Sequence, residues 1–207
     1  YLINQGNGTF SEQNTRAFGY ESNFSMGNDA VDINNDGYTD LITLDMLPGD
    51  ERILKSSLND ESYDEYENLH GTLGYHQQYS RNCLQLNTAK GSRFAEMGLW
   101  SGIAATDWSW GVLGADFNLD GRKDFFISNG IKRRLNDLDY IRFISDGQVK
   151  TKVNDHQGYD KELLHRMPDA AWHNYLFLGG EQLHFDDVSL RAGFDQPTLS
   201  NGCVYAD

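Results

Sequence analysis

The stretch Asp32-Ile33-Asn34-Asn35-Asp36-Gly37-Tyr38-Thr39-Asp40-Leu41 recurs as Asp116-Phe117-Asn118-Leu119-Asp120-Gly121-Arg122-Lys123-Asp124-Phe125, a step of 84 residues. What precedes the two copies also matches. Asn4-Gln-Gly6-Asn-Gly8-Thr-Phe10 and Asn87-Thr-Ala-Lys-Gly91-Ser-Arg-Phe94 each pass through glycine turns to an aromatic residue, and each aromatic lies 22 residues before its acidic stretch. Phe185, after Tyr175-Leu-Phe-Leu-Gly179-Gly180, stands 22 residues before Asp207, so the 207-residue sequence is expected to stop on the first residue of a third acidic loop. Ser25-Met-Gly27, Ser109-Trp-Gly111 and Ser200-Asn-Gly202 open the corresponding segments. Equal spacing in three places marks an internal repeat.

Within each repeat the apolar stretches are short and bounded by Gly, Asn and Asp, the pattern of strands joined by turns. Strands are expected near 25–32, 39–45, 82–88 and 92–97, and again near 108–116, 123–128, 173–178 and 183–188. Short hairpins make them antiparallel. A half unit over residues 1 to about 11 precedes them, and one strand follows. Repeated four-stranded units bury their faces against one another, as the blades of a β-propeller do. The expected fold is therefore all-β: a propeller fragment of four-stranded antiparallel blades with acidic hairpin loops. Its divisions are the end of a preceding blade with a linker (1–24), a blade (25–97), a linker (98–107), a second blade (108–188) and the start of a third (189–207). Two units cannot close a ring, so the remaining blades are expected from a longer protein. Insertions at about 48–81 and 130–172 separate the second and third strands of each unit. Ile53, Leu54 and Leu58, and Leu135, Leu138, Ile141 and Ile144, keep helical spacing, so the insertions should be partly helical, either as rim decoration or as a ligand-contact surface.

In the acidic loops, oxygen-bearing side chains at positions one, three and five, then Gly at six, line the inside of a tight turn. A further Asp closes the set at position nine. Hard oxygen ligands in that number suit Ca²⁺. The side-chain ligands would be Asp32, Asn34, Asp36 and Asp40 in one loop and Asp116, Asn118, Asp120 and Asp124 in the other, with Tyr38 and Arg122 lending only main-chain oxygens. Carboxylates about 4 Å apart repel by roughly 1 kcal/mol per pair in water and by more where water is excluded. A divalent cation reverses that repulsion, so metal binding and folding should be coupled. A helical calcium sensor would need Glu at position twelve, where this chain has Thr43 and Ile127. A metal-free Asn/Asp/Gly turn is the alternative, since these residues favour tight turns by themselves.

The pattern D-x-N-x-D-G-x-x-D-[LF], entered through Gly102-Ile-Ala-Ala-Thr-Asp-Trp-Ser-Trp-Gly-Val-Leu-Gly-Ala-Asp116 and followed by Asn129-Gly-Ile-Lys-Arg-Arg-Leu135, resembles the FG-GAP/VCBS-type repeats of integrin α-chain propellers. It is most similar to VCBS-repeat proteins of Bacteroidetes-type bacteria. The resemblance covers nearly the whole chain. It implies a secreted or surface-anchored multi-bladed propeller with one Ca²⁺ per motif-bearing hairpin, at the ligand positions above and at Asp207 as the start of an incomplete site.

Composition narrows the partners. Lys plus Arg number 17 against 31 Asp plus Glu, for a net charge of -14, which repels nucleic acid and anionic membrane surfaces. With a mean hydropathy of -0.61 and no apolar run of the ~18 residues a spanning helix needs, no transmembrane segment is expected. Cys83 and Cys203 lack a CxxC partner or a neighbouring His and read as free thiols. His70, His76, His156, His165, His173 and His184 accompany no catalytic motif. Lys132, Arg133 and Arg134 form the compact basic cluster, expected to pair with Asp137 and Asp139. The reading that results is an extracellular or cell-envelope scaffold that recognises protein or glycan. Its rival is a propeller-based polysaccharide lyase or hydrolase whose active site lies in the insertions or in other blades, and fold alone does not choose between them.

Overall fold

Apolar runs this short, cut by Gly, Asn and Asp, leave little room for long elements, and the computed structural model has strands of two to seven residues. It describes residues 1–58, 62–88, 90–146 and 161–206. In chain order the elements are β1 (Leu2–Asn4), β2 (Phe10–Glu12), α1 (Asn14–Ala17), β3 (Glu21–Ser22), β4 (Asn28–Val31), β5 (Asp40–Thr43), α2 (Glu51–Ser56), α3 (Tyr63–Glu67), β6 (Gln78–Tyr79), β7 (Cys83–Asn87), β8 (Phe94–Glu96), β9 (Ser109–Ala115), β10 (Asp124–Asn129), α4 (Leu138–Ser145), α5 (Lys161–Arg166), β11 (Tyr175–Gly179) and β12 (Phe185–Asp187). The fold is broadly all-β with few helices. Two antiparallel four-stranded sheets, β4-β5-β7-β8 and β9-β10-β11-β12, dominate it, each a meander in sequence order. Their eight strands overlap the eight expected spans. β1 and β2 form a separate hairpin, and β3 pairs with β6 in parallel, a contact that two-residue strands gave no sequence pattern to announce.

Side-chain alternation along the strands decides which residues meet. Ile42, Leu44 and Leu84 of the first sheet pack against Val112, Phe125, Ile127, Tyr175, Phe177 and Phe185 of the second in one core. Leu41 turns the other way, into a small cluster with Ala17, Phe18 and Phe94. The sheets come closest where β4 meets β9. A Cβ on Gly27 would stand 2.5 Å from the Trp110 carbonyl oxygen, so only glycine allows this approach. Its counterpart Gly111 is pressed in turn against Cys203, whose Sγ would stand 3.0 Å from a Cβ there.

Polar ties recur from the first sheet to the second. The Asp45 N–H donates to Asn82 Oδ1 at 2.8 Å, and the Asn129 N–H to Asn174 Oδ1 at 2.9 Å. Asn82 Nδ2 then reaches Thr106 Oγ1 at 2.6 Å, while Asn174 Nδ2 reaches Ser200 Oγ at 3.2 Å. The segment around Ser200 thus docks on the second sheet as the segment around Thr106 docks on the first. The strand expected there does not form: residues 201–206 are irregular, and Thr198 makes only an isolated bridge to Trp172. A strand needs a partner for its ladder, and among the described residues none pairs with 201–206. No helix among the described residues is long and apolar enough to cross a membrane.

Candidate cation-binding loops

Both acidic stretches join the first two strands of a sheet, and they fold alike bond for bond. In the first, Asp32 Oδ1 accepts the Asp36 N–H at 3.0 Å and Oδ2 accepts that of Gly37 at 2.9 Å. In the second, Asp116 accepts Asp120 and Gly121 at 3.0 and 2.8 Å. Asn34 Oδ1 takes the Asp36 N–H at 3.2 Å while its Nδ2 donates to Asp36 Oδ2 at 2.9 Å. Asn118 repeats both bonds with Asp120, each at 3.0 Å. The Tyr38 N–H meets Asp36 Oδ1 at 2.8 Å, and that of Arg122 meets Asp120 Oδ1 at 2.9 Å. Gly37 and Gly121 both adopt φ +88, the left-handed region that favours glycine, and Asn35 and Leu119 share it with φ 57 and 60.

Position nine is different in kind. Asp40 and Asp124 are fully buried. Asp40 Oδ2 accepts the Ile33 N–H and Oδ1 that of Asn87, both at 2.8 Å. Asp124 does the same with Phe117 at 2.9 Å and Gly179 at 2.8 Å. Each carboxylate ties its loop to the third strand of its own sheet. Burial raises the Asp40 carboxyl above its ordinary range despite those two bonds, and the charges of Asp36 and Asp32 push it further the same way. The exposed Asp120 carboxyl moves down, chiefly through the Arg122 N–H and then the Asn118 amide.

The structure therefore brings Asp32, Asn34 and Asp36 together, and Asp116, Asn118 and Asp120 together, around turns closed by their own hydrogen bonds. Tyr38 and Arg122 are exposed at the loop ends, and Asp207 lies outside the described residues. Among the described residues no group of three or more His, Cys, Asp or Glu side chains is placed to hold a metal ion. Each loop offers two exposed or half-buried carboxylates and an amide, with the third acid turned to backbone donors. Every oxygen in that set is hard, and each retains a second lone pair beyond the bond it accepts, which fits Ca²⁺ in chemistry and ligand type. The loops also touch: Asn35 Nδ2 donates to the Gly121 carbonyl at 2.9 Å, a contact for which the repeat pattern carried no signal.

Elsewhere the charges are spent on structure. Arg134 forms a buried ion pair with Asp107, its Nη2 donating to both carboxylate oxygens at 3.0 and 2.8 Å. This replaces the expected pairing with Asp137 and Asp139: Asp137 caps α4 by accepting the Tyr140 N–H, and Asp139 faces Arg142. Tyr20 donates its hydroxyl to Glu96, which also accepts the Leu84 and Gly98 N–H groups. Burial, with the Glu96 bond second, raises the Tyr20 hydroxyl well above its ordinary value. Cys83 and Cys203 are free, and burial pushes the Cys83 thiol up to about 12. His156 lies outside the described residues. No family model, curated protein or solved structure matches the chain.

Proposed function

We propose that the chain is a calcium-binding arc of a β-propeller from an extracellular or cell-envelope protein, serving as a recognition or adhesion scaffold for protein or glycan. One observation carries the reading: two acidic loops with the same hydrogen bonds, on the same hairpin of two successive four-stranded sheets. The FG-GAP/VCBS resemblance and the repeated glycine and asparagine contacts support the blade assignment, with further blades supplied by a longer protein. Asp32, Asn34 and Asp36, and their counterparts Asp116, Asn118 and Asp120, would hold the ions, while Asp40 and Asp124, the further ligands expected from the sequence, are instead buried and tie each loop to its sheet. Bound Ca²⁺ would supply charge that turns carboxylate repulsion into attraction. Extracellular Ca²⁺ modules in general bind at roughly 10⁻⁴ to 10⁻³ M, a level found outside cells. A polysaccharide lyase or hydrolase with its active site in the insertions or in other blades is the second reading, and fold alone does not choose between them.

The test is differential scanning calorimetry in Ca²⁺ against EGTA, with Ca²⁺ titrations of the parent and of Asp120→Ala. Ca²⁺ should raise the melting temperature, and the variant should lose one of two binding events. A melt indifferent to the metal sinks the cation reading, and loss of both events or of neither sinks the two-loop assignment.

A further inference from the structure

A cleft of about 440 Å³ opens between the two sheets, where the first acidic loop faces the second loop and the β11–β12 turn, and its volume lies in the range of small-ligand sites. Both walls belong to the described chain. The further blades of the proposed function would stack on the outer faces of the two sheets and leave this cleft as it is. Ile33, Leu183 and Phe185 line its floor, Ile33 and Phe185 being 5% and 4% exposed. Leu183 holds that place at a backbone cost. Gln182 and Leu183 both lie in the left-handed region, with φ 55 and 61, where the β7–β8 turn of the first sheet has Lys90 and Gly91 at φ 54 and 84. The walls are braced. Trp100 Nε1 donates to the Gln182 carbonyl at 3.0 Å, the Gly180 N–H to that of His184 at 2.8 Å, and Asn35 Nδ2 to that of Gly121 at 2.9 Å. At the rim stand Arg122 and Lys123, where the first loop has Tyr38 and Thr39. Neither forms an ion pair among the described residues, and the Arg122 charge is the last of the causes acting on Asp120.

We infer that this cleft binds an acidic peptide segment of a protein partner, seating one carboxylate between Arg122 and Lys123 and the neighbouring apolar side chain over Ile33 and Leu183. Two cations at one rim suit a carboxylate, since hydrogen bonds between ionised partners are roughly twice as strong as neutral ones. A single carboxylate meets these two charges, whereas a nucleic acid or a polyuronate also meets the acids of both loops and is repelled. Phe185 exposes almost no ring face on which the C–H groups of a sugar could lie. Glu181, also in the lining, admits one acid and disfavours two in succession. The inference rests on the recognition half of the proposed function, narrows its ligand to protein, and is independent of its cations.

The test titrates the ¹⁵N-labelled chain, in Ca²⁺ and again in EGTA, with N-acetyl-aspartyl-phenylalaninamide at millimolar concentration. The probe should shift the backbone resonances of Asn35, Lys123 and Gly180 in at least one of the two buffers. The asparaginyl counterpart, which lacks only the charge, and the aspartyl-glycinamide, which lacks the apolar side chain, should each bind several-fold more weakly. Arg122→Gln and Lys123→Gln should each weaken the aspartyl probe about tenfold, and Arg191→Gln, exposed and outside the cleft, should leave it unchanged. Absence of shifts in both buffers overturns the inference, as does equal affinity for the asparaginyl probe or unchanged affinity in both rim variants. Trigalacturonate or sulfate binding at the same residues more tightly than the aspartyl probe assigns the cleft to an acidic glycan or to any small anion, and also overturns it. Shifts in EGTA beside a metal-indifferent melt remove the cations and keep the cleft, and a metal-responsive melt without shifts does the reverse.

Discussion

Leu119 occupies the left-handed region with its side chain 88% exposed, where its counterpart in the first loop is Asn35. A Cβ-bearing residue pays strain there that Asn largely escapes through local hydrogen bonding. Leu119→Asn should therefore raise stability by about 0.5–1 kcal/mol. A urea midpoint that falls instead would show that the leucine makes a contact the geometry does not account for. At this scale much of the loop was legible: the acids at positions one, three and five converge as their spacing requires. What the spacing did not reveal is that Asp40 and Asp124 face inward to backbone N–H groups of a strand some fifty residues downstream. A carboxylate ligand and a carboxylate tie have the same letter in a sequence, and only burial distinguishes them.

At the scale of elements, the strands were legible because each is short, alternates in polarity and ends on Gly, Asn or Asp. The parallel pairing of β3 with β6 was not, since two residues carry no period. Contact between the sheets depends on Gly27, and Gly27→Ala should cost about 1–3 kcal/mol by driving a methyl group into the Trp110 carbonyl. Gly19, where a methyl group would have nothing within 4 Å, provides the comparison. Equal melting temperatures for Gly27→Ala and Gly19→Ala would mean that the two sheets slide apart at little cost.

For the whole molecule, the acidity is distributed between exposed loops and a few buried carboxyls, and the buried ones shape the response to pH. Asp45 is wholly buried, and desolvation raises its carboxyl although the Phe24 and Met46 N–H groups bind it. An acid whose folded value is raised holds its proton more tightly in the folded chain. Its contribution favours folding below the ordinary carboxylate range near about 4 and is lost as pH climbs through the folded value. Asp45→Asn, which cannot titrate, starts from a fixed deficit because one of the two carboxylate oxygens that accept the Phe24 and Met46 N–H groups becomes an NH₂. Urea unfolding between acid and neutral pH should show the parent's advantage over Asp45→Asn shrinking as pH rises. A constant gap would mean that the Asp45 carboxyl is not shifted. Long-range pairs such as Arg134 with Asp107 could not be read in advance, because their partners are set by how elements stack rather than by neighbours in the chain. The placement of the insertions has a kinetic side. Each lies between the middle strands of its own sheet, so each sheet is two local hairpins, β4–β5 with β7–β8 and β9–β10 with β11–β12, joined by one long closure. Hairpins form in about 1–10 μs, and doubling a closing loop costs only about 0.6 kcal/mol. Length added at those two points therefore costs little equilibrium stability and falls mainly on the time taken to zip the two halves of a sheet together.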